Sequence, residues 1–175
     1  MTPNAPDPEF SRPFVADRLG AAAVIETLVA NPAERAALAK RLDLVELGRL
    51  SATVTLERGL SGLIHVEGRL EADMVRTCVV TLAAFPSHVE DSFALDFGAG
   101  VAVPVDEVDI DIDYDAPEPI EDGVIDIGEL VTQYLALALD PYPRAPGATL
   151  ESVWIDPDAD ERSPFAVLKR LKTPN

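Results

Sequence analysis

The sequence predicts an α+β domain built on an antiparallel sheet. From Arg49 to Phe97, apolar and polar residues alternate in runs that follow one another across short connections. Two helix-capping signatures flank that region, at Asn31 and at Asp126. The 175-residue length suits one hydrophobic core rather than two. Successive strands with short connections favour a meander, either left open or closing toward a barrel.

The elements follow in order. Residues 1–8, with three prolines, read as a loose leader, and Glu9 to Val15 as a short strand or extended arm. Leu19 to Ala30, rich in alanine, reads as the first N-terminal helix. A second is expected to run from Pro32 to about Leu42, with Asn31 as N-cap, Pro32 at the first helical position and Glu34 three residues after the cap.

In RLSATVTLERG, Leu50, Ala52, Val54 and Leu56 share one face of a strand. Leu60-Ser61-Gly62 supplies a turn, and Leu63 to Glu71 returns as a second strand. Met74 to Leu82 continues it or forms a third, with Cys78, Val80 and Leu82 on one face. In the next strand, His88 to Phe97, Val89, Asp91, Phe93 and Leu95 alternate against Glu90, Ser92, Ala94 and Asp96. After a Gly/Pro-bearing loop, Val108 to Tyr114 reads as a further strand.

Asp126 then caps a helix, with Glu129 at the capping-box position and Pro141 and Pro143 as its stop. This closes a single α+β domain over 9–143. Residues 144–163 read as loop or linker, and 164–172 as a short C-terminal helix with Phe165, Leu168 and Leu171 on one side.

Charge narrows the function classes. The net charge is −17, and residues 106–175 carry seventeen acidic against five basic side chains. Such a field repels the phosphate backbone and attracts basic proteins. The chain has no apolar leader segment and no run of the ~18–20 apolar residues that a membrane helix needs, so a cytoplasmic location is expected, with no membrane partner.

The run Asp109-Ile-Asp111-Ile-Asp113-Tyr-Asp115 has the acid spacing of a calcium loop but not its other ligands. Counted from Asp109, the positions that need Gly and Glu hold Tyr114 and Ile120; counted from Asp111, they hold Ala116 and Asp122. The alternation instead describes a strand with a hydrated acidic face. That face discourages edge pairing and can also serve as an electrostatic docking patch.

No catalytic residue, metal site, cofactor or small-molecule substrate is indicated. Cys78 lies among Val79, Val80 and Leu82, where a buried, inert thiol is expected rather than a nucleophile served by His65 or His88. Lys169, Arg170 and Lys172 fit the C-terminal end of a packing helix, or a docking element that touches a partner or RNA. Trp154 either pins the linker or serves in recognition.

The motifs FSRPFVADRL, VEGRLEADMVRTCVVTL, IDIGELVTQYLALALDPYPRAPGA and SPFAVLKRLK, in this order, resemble the YceD-like family of large ribosomal RNA subunit accumulation proteins, its alphaproteobacterial branch in particular. The resemblance spans roughly 9–172. It implies a non-enzymatic factor supporting synthesis, processing or stability of large-subunit ribosomal RNA. Many such relatives carry paired cysteines near the positions of Cys78 and of Pro143 to Gly147. Here Cys78 is alone, so a cysteine-based metal site of that kind is not expected.

Charge and resemblance together suggest escort of a basic ribosomal protein or assembly factor. Asp109, Asp111, Asp113 and Asp115 would be the docking face, with Trp154, Lys169, Arg170 and Lys172 as further partner-binding candidates. The alternatives are direct contact with ribosomal RNA through Arg58, Arg69, Arg76 and the basic tail, and a carboxylate-based metal-dependent hydrolase.

Overall fold

A computed structural model describes residues 8–59, 62–98 and 116–149. A four-stranded antiparallel sheet has the order β2-β3-β4-β5, with β2 at Val24–Val29, β3 at Glu46–Arg58, β4 at Ile64–Thr77 and β5 at Ala84–Phe97. A small second sheet pairs β1, Pro13–Val15, with β6, Val124–Asp126. The larger sheet is an open meander; β2 and β5 are its edges, and it does not close into a barrel.

Two α-helices are described, α1, Pro32–Arg41, and α2, Ile127–Ala138, besides a single 3-10 turn at Ala16–Arg18. The cap signature of α1 is realised in full. The Asn31 side chain accepts from the N–H groups of Ala33 and Glu34, and the Glu34 carboxylate accepts from the Asn31 N–H at 2.8 Å. The Asp126 side chain caps α2 through the N–H groups of Gly128 and Glu129. Glu129 does not complete a box there, because Arg41 claims its carboxylate.

One expected helix is a strand. Within Leu19 to Ala30, Val24 to Val29 forms β2, paired with β3 from Val24↔Leu56 to Val29↔Ser51. Four β-branched residues in six oppose the helical reading, and the edge of β3 offers the ladder that settles it. Leu28 and Ala30 are buried, while Ile25 and Val29 stay exposed at 67% and 61%.

The segment Met74 to Leu82 is also divided. β4 continues through Thr77, and the chain then turns: the Leu82 N–H donates to the Cys78 carbonyl and the Cys78 N–H to that of Ala83. Cys78 is therefore buried, while Leu82, at a positive φ of 57°, is 78% exposed. The two do not share a face, because a turn has replaced strand alternation. β5 begins at Ala84, four residues before His88, and holds the expected phase with Phe93 buried.

The core lies between one face of the larger sheet and α2 with the N-terminal arm. Leu50, Val54, Leu56, Val66 and Leu70 of β3 and β4 join Phe10, Val131 and Leu135 there. Ser11 Oγ and the Arg12 N–H both donate to the Asp126 carboxylate, at 2.6 and 2.7 Å, so one aspartate holds the arm and caps the helix. Asp122 and Gly123, both at positive φ, form the turn that brings Val124 back to pair with Glu121.

Candidate functional site

The described carboxylates that follow the acidic run in sequence line a groove between the end of β5 and α2. Its volume is about 760 Å³, and Leu95, Phe97, Val124, Leu130, Tyr134 and Leu137 are among its lining residues. Among the described residues, five carboxylates line it, Glu118, Glu121, Asp122, Asp126 and Glu129, and no basic side chain does. Asp126 and Glu129 already have partners in the cap and in Arg41. Glu118, Glu121 and Asp122 are exposed, and among the described residues their side chains have no hydrogen-bond or ion-pair partner.

Local pairing builds the mouth of this groove. The Gly98 N–H donates to the Glu118 carbonyl at 2.9 Å, and the Glu118 N–H to the Asp96 carbonyl at 2.8 Å. Glu118, three residues after Asp115 in sequence, thereby pairs beside the end of β5. Asp109, Asp111, Asp113 and Asp115 lie outside the described residues, as do the strand expected at Val108 to Tyr114, Trp154, the 164–172 helix and Lys169, Arg170 and Lys172.

The basic side chains of the sheet are committed elsewhere. Arg58 donates to the carbonyls of Ala16 and Leu19, and Arg76 to that of Asp140. Arg69 pairs with Glu90 at 3.0 Å, and Arg49 with Glu71 at 3.1 Å. Both histidines sit between carboxylates: His65 between Asp96 and Glu67, His88 between Asp73 and Glu90. Asp96 raises the pKa of His65 and Asp73 that of His88, each aided by the second carboxylate. The open sheet face is thus a lattice of internal ion pairs.

Cys78 is buried as expected, but its surroundings are more polar than its neighbours in sequence imply. The Thr81 side chain is the strongest influence, and with backbone N–H groups of Ala145, Thr81 and Val80 it lowers the thiol to about 6. The β4–β5 turn itself supplies the Thr81 and Val80 groups, the Pro-rich segment packed over it adds the Ala145 N–H, and the Val79 N–H donates to the Pro143 carbonyl at 2.9 Å. Among the described residues, no group of three or more His, Cys, Asp or Glu side chains is arranged to hold a metal ion. No helix among them is long and apolar enough to cross a membrane.

The groove escaped sequence reasoning. Its acids are spread over the first turn and cap of α2, a tight turn and a loop, each with a local explanation of its own. The Asp122-Gly123 pair was the usable signal, since this dipeptide marks a tight hairpin turn and would have placed Glu121 beside Val124.

Comparison with curated proteins and with solved structures finds no match. A family model, described as large ribosomal RNA subunit accumulation protein YceD, matches residues 66–172, from near the start of β4 through α2 and beyond. That span is well over half of the chain and contains the groove. The chain belongs to the YceD family of large ribosomal RNA subunit accumulation proteins.

Proposed function

We propose that this protein supports the accumulation of large-subunit ribosomal RNA as a non-enzymatic, cytoplasmic factor. It does so by holding a basic ribosomal protein or assembly factor until delivery. The family supplies the process. The observation that carries the mechanism is the division of charge: the described arginines of the sheet each have a partner within the chain, whereas the exposed Glu118, Glu121 and Asp122 have none among the described residues and line an apolar groove. An open acidic surface speeds encounter with a cationic protein and opposes contact with phosphate.

Depletion of the protein, with a complemented control, tests the process. Selective loss of large-subunit ribosomal RNA is expected, and unchanged subunit profiles would reject it. Capture of basic ribosomal proteins from purified mixtures tests the mechanism, with the double variant Asp109→Lys, Asp111→Lys expected to weaken capture at low salt. Binding of ribosomal RNA fragments by the isolated protein, with steep salt dependence, would instead favour direct RNA contact.

A further inference from the structure

From the groove between β5 and α2 we infer a docking site for a basic, amphipathic peptide segment of the partner. This rests on the escort reading above and names where, and by what chemistry, the cargo is held. Leu95 and Phe97 from the strand and Leu130, Tyr134 and Leu137 from the helix form the apolar surface. Leu137 is 77% exposed on the outward side of a helix whose other face is buried, so α2 presents apolar surface in two directions. Apolar anchors of a bound segment would cover it.

The charges select which segment. The three unpartnered carboxylates, Glu118, Glu121 and Asp122, line the same groove, and among the described residues no basic side chain lines it. An apolar segment without charge would leave them uncompensated, and an acidic one would be repelled. Lys or Arg beside the apolar anchors meets both demands. Amphipathic segments held in grooves are a recurrent recognition mode, with apolar residues as anchors and charge as the selector. Nucleic acid offers the wrong sign.

The test uses the full chain and a synthetic peptide of about twelve residues patterned in Leu and Lys to form an amphipathic helix. Binding is followed by fluorescence anisotropy. Controls are a Leu/Glu peptide of the same pattern and a Lys/Ser peptide with no apolar anchors. The Leu/Lys peptide should bind at least about ten-fold more tightly than either control. Leu137→Lys, and separately the pair Glu118→Lys, Glu121→Lys, should each weaken it by about ten-fold or more. These side chains are exposed, and unchanged thermal melting verifies that the variants fold.

Three results would overturn the inference. One is equal binding of the Leu/Lys and Lys/Ser peptides. Another is binding unaffected by the groove variants. The third is tighter binding, by about ten-fold, when Lys169, Arg170 and Lys172 are all replaced by Ser, since the chain's own tail would then be the occupant. None of these touches the depletion result, so failure of the groove and failure of the family process are separable. In cells, Leu137→Lys should fail to restore large-subunit ribosomal RNA.

Discussion

Gly68 and Phe93 stand opposite one another on β4 and β5, and the Phe93 ring covers the glycine so closely that a Cβ there would lie 2.1 Å from its Cζ. The same ring stacks on Tyr134 of α2, with centroids 4.3 Å apart and planes inclined by 11°. A missing side chain on the central sheet thus fixes where the helix lies. The same stack holds Tyr134 at the groove.

Two glycine substitutions should separate yielding from unyielding contacts. At Gly68 the obstacle is a side chain, which can shift, so Gly68→Ala should cost about 1–2 kcal/mol. At Gly128 a Cβ would lie 2.2 Å from the Phe10 carbonyl oxygen and 2.9 Å from the Arg12 nitrogen, both backbone. Gly128→Ala should cost about 3 kcal/mol and loosen the arm. Urea unfolding of both variants measures the order; a milder loss at Gly128 would contradict it.

Arg41 joins three elements through ion pairs. It grips both oxygens of Glu129 on α2, at 2.7 and 2.8 Å, and reaches Glu9 at 3.0 Å. The pairs are partly exposed, so Arg41→Ala should remove only about 1 kcal/mol, less in high salt. Arg41→Lys should restore little, because an ammonium cannot reproduce the two-pronged contact. Unfolding curves at low and high salt test this, and a loss insensitive to salt would exclude the ionic account.

The histidines should make stability depend on pH near neutrality. Folding raises the pKa of both His65 and His88 by placing each between carboxylates. Their contribution is complete below the unfolded value of about 6.5 and disappears as pH rises through the raised folded values. The urea midpoint of the wild type should therefore fall between about pH 6 and pH 8, and His65→Gln with His88→Gln should flatten that slope. Equal slopes would show that the clamps contribute nothing.

Cys78 should be ionisable in principle and unreactive in practice. Thr81 and the neighbouring N–H groups lower the thiol to about 6, but solvent does not reach it. Ellman's reagent should modify native protein far more slowly than urea-unfolded protein, with a rate that tracks opening of the Pro143 to Ala145 segment. Immediate labelling of the native state would show that the turn does not seal the thiol.

The sequence was most legible where one residue's chemistry decides the local structure. Asn31-Pro32 and Asp126 start the two described α-helices, and the alternation from Leu50 to Leu56 marks the buried face of β3. Leu19 to Ala30 was misread because its composition suits either state, and the partner that decides, β3, begins sixteen residues after Ala30. The groove was illegible for a related reason. Leu95, Glu118 and Leu137 meet only through the stacking of Phe93 on Tyr134 and the clasp of Gly98 on Glu118. No periodicity within one element encodes such meetings.

The Asp126 clasp also bears on the order of folding. Its bonds to Ser11 and Arg12 span 115 and 114 residues. The β3-β4-β5 meander closes through neighbours in sequence, but the clasp that ties the arm to α2 cannot form until Asp126 has emerged from the ribosome. Contacts this distant carry a large loop-closure cost and slow folding. During synthesis the sheet is therefore expected to form first with its inner face uncovered, and pulse-labelled hydrogen exchange should show β3 and β4 protected before α2. A chain that ends before α2 would expose Val66 and Leu70 on that face, and the last third of synthesis turns an adhesive intermediate into a finished domain.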